Sequence, residues 1–209
     1  MNKVLGMMLV MLSLTGLAAA TVVQTNSVKD PNDIYNLYDA MTDDLINDGS
    51  AALASVDSTP WNGYLANNGS VTDGNFWSGQ LDYWGGTWSL TYNLDTSSNT
   101  LGYAISTIDI LGGWNDPKKI ECTLAYKLIG DAEYTTLGTY LYEALGGMKI
   151  NLSDSLGGDL LSGVSALRFT FQNADLIREI DVVGSAVPEP ATLSLLAIGG
   201  VLAMFRRRK

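Results

Sequence analysis

Large apolar residues occupy every second position of residues 87–94, Thr-Trp-Ser-Leu-Thr-Tyr-Asn-Leu. Only an extended backbone turns successive side chains to opposite faces, so this spacing predicts a strand with one face buried. The period returns at Ile120, Cys122, Leu124 and Tyr126, set against Glu121, Thr123 and Lys127. It recurs at Leu167, Phe169 and Phe171, and at Ile180 with Val182. Residues 95–99 predict a turn. A further strand is expected over 105–114, closed by Gly112 and Gly113. Residues 133–137 and 139–142 read as a hairpin, and the Gly-Ser-Asp-rich stretch 151–163 as a loop. Half-buried strands in series must pair and then stack on one another, which predicts an all-β sandwich. No fixed-period repeat is present.

One short segment departs from this pattern. Asp30-Pro31 has the form of a helix start, and Ile34, Leu37, Tyr38, Met41 and Leu45 follow at helical spacing up to about Ile46, with Gly49 as the stop. Residues 21–57 are therefore expected to form a helical N-terminal extension, too short to stand without packing on something. Residues 58–86 are rich in Gly, Asn and Asp, the composition of long loops, and hold Trp61, Tyr64, Phe76, Trp77, Tyr83 and Trp84. Such rings could stack on the apolar faces of sugars or plug an open end of the sandwich.

Charge and composition exclude several chemistries. The chain has 209 residues, a formal net charge of −10 and no histidine. Five of the twelve bases are Lys3, Arg206, Arg207, Arg208 and Lys209, and Glu189 is the one acid outside the body. The body thus sets seven bases against twenty-one acids, a charge of −14. Such a surface repels phosphate backbones, so no nucleic-acid partner is expected. Without histidine, Ser-His-Asp and Cys-His catalysis are excluded. A lone cysteine, Cys122, can form no internal disulfide, and one thiol without imidazole is a poor zinc set. Its register places Cys122 on the core face, as a small hydrophobe rather than a nucleophile.

Both ends carry the marks of export. Residues 1–20 fit a secretory signal peptide, with Lys3, an apolar run, and cleavage after Ala18-Ala19-Ala20, where Ala18 and Ala20 are the small residues that signal peptidase reads. An uncleaved anchor is the alternative. At the other end Val187-Pro188-Glu189-Pro190 precedes the apolar run 191–205 and the basic stop Arg206, Arg207, Arg208 and Lys209. As a helix that run spans roughly 22 Å, less than the ~30 Å hydrocarbon layer, and Gly199-Gly200 weakens it further. The basic cluster would hold its end on the cytoplasmic side, leaving the body outside.

Two resemblances follow from these residues. Ile108-Asp109-Ile110-Leu111-Gly112-Gly113-Trp114-Asn115-Asp116, Glu121-Cys122-Thr123-Leu124-Ala125-Tyr126, Tyr134-Thr135-Thr136-Leu137-Gly138 and Arg178-Glu179-Ile180-Asp181-Val182-Val183-Gly184 resemble, in that order, a discoidin-like module (factor 5/8 type C, galactose-binding-like). Val71-Thr72-Asp73-Gly74-Asn75 resembles its early turn. The resemblance implies an eight-stranded, galactose-binding-like jelly-roll sandwich over residues 58–184, binding through loops at one end. It also implies a structural calcium, with Asp73, Asn75 and Glu179 as the positions carried over; an Asx-turn and a solvent-facing Glu179 are the alternative. Trp61, Trp77, Trp84 and Trp114 are the platforms a sugar would use.

The tail, residues 187–209, resembles the PEP-CTERM sorting signal of exported Gram-negative proteins. That resemblance implies recognition of the Pro-Glu-Pro by exosortase, a transmembrane helix that holds the membrane until it is removed, and an association with exopolysaccharide and biofilm. The leading expectation is a non-enzymatic cell-surface or matrix protein that binds glycan. A displayed structural block is the second. The third is a carboxylate-based glycoside hydrolase using Asp73 with Glu179 or Asp116 with Glu121, since that chemistry needs only paired acids.

Overall fold

The computed structural model describes residues 21–29, 44–47, 50–59, 87–172 and 177–189, with the backbone alone at 58–59 and 114–118. Seven strands are present among them: β1 (Val22–Val28), β2 (Leu53–Thr59), β3 (Thr87–Leu94), β4 (Tyr103–Leu128), β5 (Thr135–Asp154), β6 (Leu161–Gln172) and β7 (Ile177–Ala186). They join in the order β1-β5-β4-β6-β3-β2, with β7 added to β4. The described residues form an all-β sandwich, as the period-two spacing predicts.

The two long strands make the layers. The first half of β4 lies between β7 and the second half of β5, from Thr107↔Ser153 to Trp114↔Gly146 on one side and Ile110↔Ile180 on the other. Its second half pairs the first half of β5 and, from Cys122↔Phe171 to Leu128↔Val164, β6. One layer is therefore β1, β5, β4 and β7; the other is β5, β4, β6, β3 and β2. Between them lies a single core in which Ile108, Ile110, Ile150, Ile180 and Val182 meet Leu90, Tyr92, Ile120, Cys122, Leu124, Phe169 and Phe171. Trp88 stacks on Phe171 at 4.2 Å between ring centroids, and Tyr92 meets Phe169 edge-on at 5.8 Å.

Gly112 and Gly113 do not close a strand. They bend one. Gly113 (φ 97°) faces Gly147, and a Cβ on it would stand 2.0 Å from the Gly146 carbonyl oxygen. Gly146 itself has φ 107°. The pairing then slips between Trp114 and Pro117, a bulge that turns both strands from one layer into the other. The hairpin expected over 133–142 is instead the end of the β4–β5 turn followed by one uninterrupted strand from Thr135; Gly138 sits where the Tyr140 ring folds back, and a Cβ there would meet Tyr140 Oη at 2.8 Å. The expected loop at 151–163 shortens to the turn at 155–160 between β5 and β6.

The N-terminal segment also differs from expectation. Residues 22–28 pair with β5 from Val22↔Asp154 to Val28↔Met148, and residues 53–59 pair with β3. Polar alternation in Val-Gln-Thr-Asn-Ser hid an edge strand whose outer face meets solvent. Most of the expected helix lies outside the described residues, and its last positions, 44–47, form a turn.

Candidate functional site

Three carboxylates from distant parts of the chain converge beside β7. Glu179 and Asp181, two residues apart and so on one side of the strand, are 0% and 1% exposed. Asp44 is brought to them by the Leu45 amide, which donates to the Val182 carbonyl at 2.9 Å, while Ile46 is fully buried. Asp44 Oδ1 accepts the Ile46 amide at 2.7 Å, which fixes the turn. One ligand oxygen from each acid lies within 4.8 Å of the others. Burying like charges this close is costly unless a cation or proton offsets them.

Hard oxygen donors in this number suit a divalent cation such as calcium, which takes about six to eight oxygens, so the three acids supply part of a shell. Tyr92 of the larger layer is fully buried in the core between the layers. Burial pushes its pKa well up, with the Glu179 and Asp44 carboxylates adding to the shift. Of the calcium positions carried over from the discoidin-like family, Glu179 is here, and Asp73 and Asn75 lie outside the described residues. Asp44 and Asp181 were not singled out from sequence. The one available signal was Glu179-Ile180-Asp181-Val182, where acids alternate with core residues in a strand buried on both sides.

The outward side of the larger layer is mostly polar, with Leu141 and Leu145 exposed along β5. Thr139, Thr123, Thr170 and Ser89 stand in one row across four strands, with the Thr123 and Thr139 hydroxyls 2.9 Å apart. In the next rows Arg168 Nε donates to Thr91 Oγ1 at 3.2 Å, and Asn93 Nδ2 donates to Ser55 Oγ at 3.0 Å and Asp57 Oδ2 at 2.9 Å. Tyr134, from the β4–β5 turn, lies over this face with its ring centroid 3.8 Å from Arg168 Cζ and 5.8 Å from Lys127 Nζ.

Other sequence-derived candidates fall elsewhere. Trp61, Trp77 and Trp84 lie outside the described residues, and Trp114 sits at the β4 bulge opposite Gly146 with only its backbone described. Glu121 is ion-paired with Lys119, and the side chain of Asp116 is not described. Cys122 is fully buried and burial pushes its pKa far up, so it is a core residue and no nucleophile.

At the ends, Ala18, Ala20, Pro190, Arg206, Arg207, Arg208 and Lys209 lie outside the described residues. No helix among the described residues is long and apolar enough to cross a membrane, and the run 191–205 is not among them. The Val187 amide donates to the Gly102 carbonyl at 2.9 Å, after which Pro188 and Glu189 are exposed. Thr21 donates its amide to Asp154 Oδ1 at 3.1 Å one residue before β1 begins.

Residues 186–209 match the PEP-CTERM protein-sorting motif, so the chain carries a sorting signal of exported proteins. No curated protein matches the chain. Among solved structures it is similar to the CBM32 module of AlyQ in complex with 4,5-unsaturated mannuronic acid, with 15% identity and a TM-score of 0.38 over 63% of this chain and 95% of that one. A pectin-binding carbohydrate-binding module gives 16% identity and a TM-score of 0.31 over 68% of this chain and 96% of that one. The family 11 carbohydrate-binding module from Clostridium thermocellum, in complex with a mixed-linked tetrasaccharide, gives 12% identity and a TM-score of 0.33 over 84% and 94%.

Proposed function

We propose that the chain is an exported surface or matrix protein of a Gram-negative cell, processed by signal peptidase and exosortase, whose sandwich binds glycan without chemical turnover. The observation that carries the export half is the sorting motif beginning at residue 186, where β7 ends and the core stops. The register adds a geometric reason. Val22 pairs Asp154, Ser153 pairs Thr107 and Ile105 pairs Gly184, so β1 begins at the end of the small layer from which β7 leaves. Leader and tail thus depart from the same end, and the larger layer can face away from the membrane while the C-terminal helix holds it there. Pro188 and Glu189, the first two residues of the sorting signal's Pro-Glu-Pro, are exposed.

The binding half is supported by the discoidin-like order of segments and by the open polar face of the larger layer, whose hydroxyls, amides and Tyr134 are the groups sugars meet. Calcium at Asp44, Glu179 and Asp181 would hold the 44–47 turn against β7 and leave the sugar-facing groups to the other layer. Exopolysaccharide of the producing cell is the natural partner. A polysaccharide and glycan array probed with the mature protein, with calcium and with chelator, tests this reading. Saturable binding without loss of polymer length supports it. A blank array overturns it and leaves a displayed structural block; shortening of a bound polymer would make the protein a hydrolase.

A further inference from the structure

Of the seven bases in the acidic body, two stand out by their surroundings. Lys119 is held by Glu121, Lys149 by Asp109, and Arg178 is buried with its Nε on the Gly113 carbonyl. Lys127 and Arg168 instead lie side by side on the outward face of β4 and β6, and among the described residues neither meets a carboxylate at ion-pair distance. The Arg168 guanidinium stacks on the Tyr134 ring, and the Lys127 ammonium stands 5.8 Å from the ring centroid. Thr91 accepts from Arg168 Nε at 3.2 Å, which fixes the plane of the guanidinium and leaves its two terminal nitrogens as a fork. The nearby acids have their own donors: Asp57 accepts from Asn93, and Asp131 from the Leu128 amide at 3.3 Å.

In a body of charge −14, cations without acid partners, fixed on an aromatic ring and bordered by hydroxyls, are unexpected as surface dressing. We propose that Arg168, Lys127 and Tyr134 form a binding site for the carboxylate of a uronic-acid-containing polysaccharide. This rests on the glycan-binding reading and names its ligand class and its place. The guanidinium fork takes the planar carboxylate in two parallel hydrogen bonds, and the ammonium adds a second charge-assisted contact. Asn93 and Asp57, further along the same face, supply donors and acceptors for ring hydroxyls. The long-range field of the body repels a polyanion, so association needs this local contact or enough salt to screen the field.

The test is affinity electrophoresis and calorimetry of the full mature protein on polygalacturonate, on its highly methyl-esterified form, which keeps the sugar and removes the charge, and on a sulfated glucan. The expected result is binding to polygalacturonate alone, weakened at least about tenfold by Arg168→Gln and by Tyr134→Ala, as loss of a charge-assisted pair implies. Lys127→Gln, at a position half-exposed on the outer face, should weaken it less and keeps the test valid if Arg168→Gln fails to fold. Equal binding of the esterified polymer, preference for the sulfated one, or unchanged affinity in all three variants overturns this site while leaving glycan binding in place. Wild-type protein that binds no polymer on a broad array would sink the glycan reading itself.

Discussion

Asp109 on β4 stands directly across from Asp181 on β7, and the two acids meet different company. Asp109 receives Lys149 Nζ at 2.7 Å and Asn151 Nδ2 at 2.5 Å. Asp181 stands with two further carboxylates, Glu179 and Asp44. Like charges directly opposed destabilise a strand pair unless something offsets them. The lysine does so on one side, and a divalent cation would do so on the other.

Calcium should therefore raise the melting temperature and chelator lower it. A ligand at a hundred times its dissociation constant stabilises by about 2.7 kcal/mol, a shift of roughly 5–10 °C for a domain of this size. Glu179→Gln should abolish the shift and melt no lower than wild type in chelator, since it removes a buried charge. Differential scanning fluorimetry reads both. Identical melting in calcium and chelator contradicts the cation site.

Gly113→Ala should destabilise the protein by about 2–3 kcal/mol or more, from left-handed backbone strain and the contact with the Gly146 carbonyl. Gly130→Ala is the comparison, because it shares a positive φ but has nothing within 4 Å. Urea midpoints should fall much further for the first. Equal falls would mean that the close approach at the bend contributes nothing.

Cys122 should ignore thiol reagents in the folded state. Burial disfavours its thiolate, so labelling must wait for global opening. Stoichiometric reaction with Ellman's reagent is expected only in denaturant, and prompt reaction in buffer would place the thiol outside the core.

Tyr92 gives stability a dependence on alkaline pH. Its folded pKa is raised above the unfolded value by burial, then by Glu179 and Asp44, so the unfolded chain loses the proton first. The contribution is complete below about pH 10 and is lost above it, by at most ~1.4 kcal/mol per pH unit for one proton. Tyr92→Phe should flatten that decline in denaturation midpoints taken from pH 9 to 11. An unchanged slope would show that other tyrosines set it.

Much of the fold was legible because burial on one face of a strand leaves a local, period-two mark, as in residues 87–94 and at Leu167, Phe169 and Phe171. Gly112 and Gly113 misled for a physical reason: the property that lets glycine end a strand also lets two strands bend together. β1 was missed because an edge strand shows little apolar alternation. The candidate sites were less legible still. Asp44 and Glu179 are 135 positions apart, and Asp44 lay in a stretch with helical spacing. Nothing local in Tyr134 or Arg168 announces that one will stack on the other. Chemistry assembled from strands and turns far apart in sequence leaves little trace in spacing along the chain.

The delivery of this module is the claim on which its surface role depends, and the intact mass of the mature protein tests it most directly. A species beginning near Thr21 and lacking the residues that follow Pro190 is the expected result. A membrane-bound species that still ends at Lys209 would contradict it.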